Sequence, residues 1–251
     1  MSGRLASPVH VDCAGVVIGF PAADKRWRAA LRRRFAGFLT AEPATFTITR
    51  GARMREGAGR PTAAFGVLLD PVARTADLPP GVGVREAGAL VRSLLPSLLD
   101  DGLVAHAAVL LDGERGFLCC GHSGAGKSTL ARLAGSRRGS DELGAARRID
   151  GAWTVSTLPF WNARAGAARL DGIFLIRHAP GNERRRLSPA AALPALGRHL
   201  LWPADAPEAA QLTLDLLADL VERVPVWDLG FLPTAAVWES IAAPADDGAR
   251  P

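Results

Sequence analysis

The sequence lacks the apolar segments that would place it in or across a membrane. It has no run of about 18 apolar residues, the length that a bilayer-spanning helix needs, and no apolar signal segment at its N-terminus. It has only three cysteines, Cys13, Cys119 and Cys120. An odd number without framework spacing argues against a disulfide scaffold and favours a reducing compartment. We therefore expect a cytoplasmic protein with no membrane partner.

Lysine is nearly absent as well, although the chain is basic. Of the 30 lysine and arginine residues only two, Lys25 and Lys127, are lysines, and the formal net charge is +5. The arginines are scattered apart from short runs at 32–34 and 184–186, and no aromatic residues alternate with them. Because a nucleic-acid groove combines basic and aromatic residues, we expect no nucleic-acid partner. The run at 184–186 either is a solvated loop or clamps phosphate or an acidic acceptor peptide.

One of the two lysines, Lys127, belongs to the pattern G-x-x-x-x-G-K-[ST] at residues 121–128. In such a P-loop, glycines let several backbone N–H groups point into one concavity that holds a polyphosphate, and the following helix adds its positive end. We predict that Lys127 reaches the β- and γ-phosphates and that the Ser128 hydroxyl ligates Mg²⁺. The competing interpretation is a glycine-rich turn that binds nothing. The predicted nucleotide-binding residues are Gly121, His122, Ser123, Gly124, Ala125, Gly126, Lys127, Ser128 and Thr129.

The hydrophobic pattern predicts a mixed α/β protein with a small N-terminal α/β lobe over residues 1–100, a P-loop domain over 101–240 and a flexible tail over 241–251. Apolar strands over 106–111 and 116–120 predict an antiparallel hairpin that leads into the P-loop, with a helix from about Lys127. A strand, a loop and a helix in this order are the context that a P-loop requires. The further predicted elements are helices over 22–38, 84–99, 189–201 and 207–223, strands over 9–11, 16–20, 46–49, 64–69, 153–155, 172–177 and 226–231, and loops over 50–60 and around 183–186.

Phosphoryl transfer also needs a carboxylate that takes the proton of the acceptor and anchors metal. Asp141 and Glu142 are the adjacent acidic pair shortly after the P-loop helix; the alternative is a pair of solvent-exposed loop carboxylates. Only 14 positions separate Lys127 from Asp141, and the segment 135–140 has almost no apolar residue. Either the helix ends early and the next strand is short, or the acidic pair is displaced and the enzyme is impaired.

The histidines near the loop are further candidates. His106 lies 15 positions before Gly121, which across a hairpin places it near the end of the strand beside the P-loop strand. A histidine there can cap its strand through backbone hydrogen bonds. His122 is expected to line the loop without acting in catalysis. No His/Cys cluster has the spacing of metal ligands, so the expected metal is Mg²⁺ bound with the nucleotide.

Six segments carry a resemblance to a known family: 106–109 (HAAV), 121–130 (GHSGAGKSTL), 140–143 (SDEL), 171–175 (DGIFL), 187–190 (LSPA) and 224–226 (VPV). Together they resemble the catalytic domain of HPr serine kinases, and especially the smaller HPr-kinase-like proteins that often accompany ribosomally made peptide pathways. The resemblance implies a phosphoenolpyruvate-carboxykinase-like nucleotide fold, with ATP and Mg²⁺. It also implies that Asp141 is the general base or a metal ligand, that Glu142 assists it and that His106 orients the transferred phosphate.

The leading hypothesis is therefore an ATP-dependent kinase that phosphorylates a Ser or Thr hydroxyl of a peptide or small protein. A kinase for a small molecule such as free serine is the first alternative. The second is a non-catalytic nucleotide-binding accessory protein of a peptide-modification pathway. The resemblance to HPr kinases, which form oligomers, leaves an oligomer open, and the sequence has no motif that selects ATP over GTP or identifies the acceptor.

Overall fold

The computed structural model describes residues 7–21, 24–51, 60–61, 68–70, 72–203 and 207–244. Most of the predicted loop over 50–60 and of the predicted strand over 64–69 lies outside these ranges, as do residues 245–251 of the predicted tail. The chain divides into two compact units, residues 1–98 and 99–251, and the mixed α/β class expected from the sequence is confirmed. None of the helices in the described ranges combines the length and apolar character needed to span a membrane.

The first unit contains a mixed sheet and two α-helices within its described residues. Its elements are β1 (Val9–Cys13), β2 (Val16–Phe20), α1 (Lys25–Arg34), a short 3-10 helix (Ala36–Phe38), β3 (Phe46–Arg50), β4 (Arg60–Pro61), β5 (Leu68–Asp70), β6 (Thr75–Leu78) and α2 (Val84–Leu98). The strands follow the order β1-β2-β3-β6-β5-β4. The β2–β3 and β3–β6 pairs are parallel, and the other pairs are antiparallel.

Local sequence explains the first elements of this unit. Ala14 and Gly15 have positive φ angles of 58° and 87°, as a tight turn between two antiparallel strands requires. Helix α1 begins at Lys25 because the Asp24 side chain accepts a hydrogen bond of 2.7 Å from the Trp27 N–H. The predicted helix over 22–38 is therefore shorter than expected, since α1 ends at residue 34 and a 3-10 turn follows it.

The second unit carries the P-loop. Its elements are β7 (Gly102–Ala105), β8 (Ala107–Asp112), β9 (Arg115–Cys120), α3 (Lys127–Leu133), a 3-10 turn (Gly135–Arg137), β10 (Arg138–Ser140), β11 (Gly144–Ile149), β12 (Ala152–Thr157), β13 (Ala167–His178), β14 (Glu183–Arg186), α4 (Pro189–Gly197), β15 (Leu200–Leu201), α5 (Pro207–Arg223), β16 (Val226–Phe231) and α6 (Val237–Ala242).

The long strand β13 organises the sheet of this unit. β8 and β9 form an antiparallel hairpin, β10 pairs with the other edge of β8, and β9 runs parallel to β13. The first residues of β13 pair with β12, and its last six residues pair in parallel with β16. The sheet therefore divides at β13 into a branch β12-β11-β7-β15 and a branch β16-β14. Because β9, β13 and β16 are parallel, their carboxyl ends lie at one edge, and the P-loop begins there.

Alternate side chains of the hairpin face two different cores. Val109 and Leu118 face a core shared with β12, α4 and α5, and Leu110 and Phe117 face a core shared with α3, β16 and α6. This alternation is the two-residue period of a strand buried on both faces. Burying an aromatic side chain such as that of Phe117 contributes about 1.5–3 kcal/mol. The P-loop is thus attached to a strand that is packed on both sides.

Several local predictions for this unit are confirmed and others are wrong. The hairpin and the strand–loop–helix order are confirmed. Helix α3 ends after seven residues and β10 has only three, so the first explanation for the short spacing, an early helix end and a short strand, is correct. Residues 183–186 form β14, not a loop, because they pair with β16. The predicted helix over 189–201 ends at residue 197, and α6 extends into the first two residues of the predicted tail.

Candidate functional site

The P-loop lies between the end of β9 and the start of α3, and packing dictates its glycines. Gly124 and Gly126 have positive φ angles of 84° and 99°, which residues with a Cβ atom rarely adopt. A Cβ atom on Gly126 would lie 2.8 Å from Cζ of Phe231, and one on Gly121 would lie 2.8 Å from Cβ of Ala125. The loop therefore packs against Phe231 at one end and against its own Ala125 at the other, with no room for a Cβ atom at Gly121 or Gly126.

Lys127 is the first residue of α3 and is only 7% exposed. Its Nζ donates hydrogen bonds to the carbonyl oxygens of Gly121 at 2.7 Å and His122 at 3.0 Å. Burial lowers the pKa of the Lys127 amine, while Cys120 and Glu142 act in the opposite direction. The amine is thus held inside the loop, where phosphate oxygens would replace the carbonyl oxygens as its partners.

β10 brings the acidic pair to the P-loop edge of the sheet. It pairs with β8, and the Ala107 N–H at the start of β8 donates to the Glu142 carbonyl oxygen at 3.2 Å. Ala107 in turn lies opposite Cys120, the residue that precedes the P-loop. The Ser140 hydroxyl, in a residue only 1% exposed, donates to the Leu143 carbonyl oxygen at 2.6 Å and fixes the turn that carries the pair.

The two carboxylates of the pair have different partners. Oε2 of Glu142 lies 3.7 Å from Nε2 of His106, and Glu142 is one of the groups that raise the pKa of Lys127. Oδ1 of Asp141 lies 3.4 Å from Nη2 of Arg138. Glu142 therefore contacts a histidine and Asp141 an arginine, whereas the sequence had favoured Asp141 for the principal role.

His106 is bonded to His199, a residue that the sequence did not indicate as part of the site. The backbone N–H of His106 donates to the His199 carbonyl oxygen at 2.8 Å, beside the pairing of β15 with β7. Burial lowers the pKa of His199, and the electrostatic influence of Lys127, His106 and His122 lowers it further. His199 thus belongs to the same cluster. No motif marks it, and the apolar pattern around it predicted a helix instead of a strand.

Two further histidines hold the backbone of the loop. Nδ1 of His122 lies 2.6 Å from the Ser123 carbonyl oxygen, in keeping with a lining role. His178, the last residue of β13, donates from Nε2 to the Gly124 carbonyl oxygen at 3.0 Å, and its ring stacks on Phe231 with centroids 5.8 Å apart. The sequence did not predict this contact, because it joins the ends of two strands that are far apart along the chain.

The predicted magnesium ligands do not form a preassembled metal site. In the part of the chain that the structure describes, no three His, Cys, Asp or Glu side chains are grouped so as to hold a metal ion. Ser128 lies in the first turn of α3, and its residue is exposed. Asp141 and Glu142 would have to exchange Arg138 and His106 for the ion. Phosphate oxygens and water would supply the remaining ligands, as is usual for Mg²⁺.

The arginine run at 184–186 has a structural role on β14. The Arg184 guanidinium donates to the Ala243 carbonyl oxygen at 2.9 Å and packs over the ring of Trp227 at 4.3 Å. It therefore satisfies a carbonyl group just beyond the C-terminal end of α6. Arg185 lies 3.5 Å from Asp228 on β16. The expected loop is wrong for this run because residues 183–186 form a strand, although the Arg185 side chain is 74% exposed.

A cavity of about 830 Å³ lies at the end of the sheet opposite the P-loop. Arg115, at the start of β9, and Trp227, near the start of β16, contribute to its wall. Within this wall Asp171 accepts hydrogen bonds from Arg115 at 2.5 Å and Arg169 at 2.6 Å. Because the cavity is separated from the P-loop by the length of β9, we do not include it in the candidate site.

Comparison with known proteins does not assign a family. No protein-family model matches the sequence, and no curated protein is significantly similar to it.

Proposed function

We propose that the protein is a magnesium- and ATP-dependent kinase that transfers the γ-phosphoryl group to a serine or threonine hydroxyl of a peptide or small protein. The observation that supports this most directly is the position of Glu142 beside the P-loop: its carbonyl oxygen accepts a hydrogen bond of 3.2 Å from the N–H of Ala107, which lies opposite Cys120, and its carboxylate lies 3.7 Å from His106. A P-loop alone supports nucleotide binding, and an adjacent carboxylate adds what transfer to a hydroxyl requires. The phosphoenolpyruvate-carboxykinase-like core and the likeness to HPr kinases are part of the same proposal.

In the proposed mechanism, backbone N–H groups of residues 121–128 hold the polyphosphate of ATP. Lys127 exchanges its carbonyl partners, Gly121 and His122, for phosphate oxygens. Because this amine already lies in the loop, binding requires a change of partner and only a small movement. Mg²⁺, held by Ser128 and a carboxylate of the acidic pair, would neutralise negative charge on the phosphates.

The transfer itself exchanges one P–O bond for another. The acceptor hydroxyl oxygen attacks the γ-phosphorus, the bond from that phosphorus to the β–γ bridging oxygen breaks, and ADP leaves with the bond's electrons. The proton of the hydroxyl passes to a carboxylate. We assign this role to Glu142 before Asp141, because Asp141 is paired with Arg138. A positioned general base typically contributes about 10²–10⁴ in rate.

The test is phosphoryl transfer by purified protein, with ATP, Mg²⁺ and the peptide or small protein encoded beside its gene, followed by mass spectrometry of the acceptor. We expect the wild type to add one phosphate, Lys127→Ala to lose activity through weak nucleotide binding, and Glu142→Gln to bind ATP normally. The kcat of Glu142→Gln should fall by about 100-fold or more, whereas the kcat of Asp141→Asn should fall by less than tenfold. Equal losses in the two carboxylate variants would refute the assignment to Glu142.

The Arg138–Asp141 ion pair favours one other candidate, a nucleotide-binding accessory protein, because a carboxylate occupied by arginine is a poor metal ligand. Such a protein would bind ATP without phosphorylating the peptide, and its effect on a partner enzyme would survive Asp141→Asn but not Lys127→Ala. The same assay with free serine tests the small-molecule alternative.

A further inference from the structure

The loop between β12 and β13 presents a tryptophan to solvent. Trp161 is 62% exposed, whereas its neighbours Leu158 and Phe160 are 0% and 5% exposed. An exposed indole forgoes the apolar burial that this large side chain usually contributes. A fixed and exposed aromatic side chain is a common anchor for a binding partner.

The backbone of Trp161 is also unusual. Its φ angle is +51°, and the Ala163 N–H donates to the Phe160 carbonyl oxygen at 3.2 Å across it. Trp161 thus occupies the first central position of a tight turn in a conformation that glycine, asparagine or aspartate normally provides. A bulky residue at positive φ is strained, and strained positions cluster at functional sites.

Looseness of the loop does not explain this exposure, because the loop is anchored on both sides of the tryptophan. Leu158 and Phe160 are buried on its N-terminal side. On its C-terminal side the Arg164 N–H donates to the Gly139 carbonyl oxygen at 2.8 Å, and the Arg164 carbonyl oxygen accepts a hydrogen bond of 2.9 Å from the Thr157 hydroxyl. The turn is therefore a fixed element.

The same anchors place the loop beside the acidic pair. Thr157, just before the loop, pairs with Gly144, and Arg164, near its end, bonds to Gly139. Residues 158–163 therefore connect positions on either side of the segment 140–143, which contains Asp141 and Glu142. The exposed indole therefore lies on a loop whose two ends are bonded to the residues that flank the acidic pair.

We propose that Trp161 is a docking residue for the acceptor, packing against an apolar side chain of the peptide close to the phosphorylated Ser or Thr. This inference rests on the proposed kinase function and specifies its acceptor: a segment with an apolar residue near the hydroxyl. Trp161 has no role in ATP binding or in the transfer step.

The experiment is a positional-scanning library of serine-centred peptides with radiolabelled ATP, in which each flanking position is fixed in turn as each amino acid. We compare the wild type with Trp161→Gly, which suits the positive φ, and Trp161→Phe, which restores an aromatic ring. The matched control is Leu212→Ala, a change at a 41% exposed apolar residue on α5. ATP affinity is measured for each protein.

We expect the wild type to prefer apolar residues at one flanking position by about tenfold, the effect of one good aromatic contact. Trp161→Gly should lose this preference with ATP affinity unchanged, and Trp161→Phe and Leu212→Ala should keep it. If the wild type and Trp161→Gly label peptides with the same selectivity, the docking role is refuted and the proposed kinase function is not. A wild type that binds ATP but labels no peptide would overturn the proposed peptide kinase, and the docking role with it.

Discussion

Replacing Gly126 by alanine tests the packing that shapes the P-loop. The added Cβ atom would lie 2.8 Å from Cζ of Phe231 and 3.3 Å from Cε1 of His178. Phe231 is 0% exposed, so its ring cannot move into solvent. The φ angle of +99° adds a conformational cost that does not depend on space.

The two costs can be separated. Positive φ at a residue with a side chain costs about 1–3 kcal/mol, and overpacking a closed core costs about 1–3 kcal/mol more. Gly126→Ala should therefore lower the free energy of unfolding by about 2–6 kcal/mol. Gly135 also has positive φ, 61°, but a Cβ atom there would meet nothing within 4 Å. Gly135→Ala should incur only the conformational cost.

The assay is urea unfolding of the wild type and both variants at one pH, together with ATP titration. Gly126→Ala should be the less stable variant by about 1–3 kcal/mol and should bind ATP more weakly, because the loop must shift away from Phe231. Equal destabilisation by the two substitutions would refute the argument that Phe231 limits the loop.

Three further predictions concern other parts of the chain. Burial raises the pKa of Asp219, but hydrogen bonds from Arg223 and Trp153 and nearby guanidinium charges outweigh it and hold that pKa below 3.8. The stabilisation is therefore present above pH 3.8 and is lost as the pH falls through the lowered pKa. Asp219→Asn should cost about 1 kcal/mol in urea unfolding at pH 7, and this cost should decrease as the pH is lowered below 3.8. Burial raises the pKa of Cys120 to about 12, so native protein should leave this thiol unmodified by a thiol reagent that modifies it in urea, and rapid native labelling would contradict its burial. Trp161→Gly should raise the free energy of unfolding by about 1 kcal/mol, measured thermally, because it removes strain; a loss of stability would contradict the strained turn.

The sequence predicted the parts of the site that local chemistry determines. The P-loop follows from its glycines and Lys127, and the hairpin follows from two apolar runs and a turn. β10 was harder to predict because it has no apolar pattern. A Cβ atom on its Gly139 would lie 2.7 Å from Thr157 and 3.1 Å from the Val109 carbonyl oxygen. Close packing therefore requires a glycine at this position, and the strand has no apolar pattern that the sequence could reveal.

Long-range pairing determines the remaining residues of the site. His199 reaches the cluster because β15 pairs with β7, and His178 because β13 ends beside the P-loop. The choice between Glu142 and Asp141 depends on the partners that the turn 140–143 gives each carboxylate, and bonds of the Ser140 hydroxyl and the Ala107 N–H fix this turn. Periodicity and spacing carry no information about such contacts.

The most direct test of the account is a calorimetric titration of ATP with Mg²⁺ into the wild type and into Lys127→Met, which keeps a long side chain without its charge. The wild type should bind one ATP per chain, and the variant should remain folded but bind at least about tenfold more weakly, since the ammonium contact to phosphate is lost. No binding by the wild type, or equal binding by both proteins, would contradict the claim that this loop holds a nucleotide.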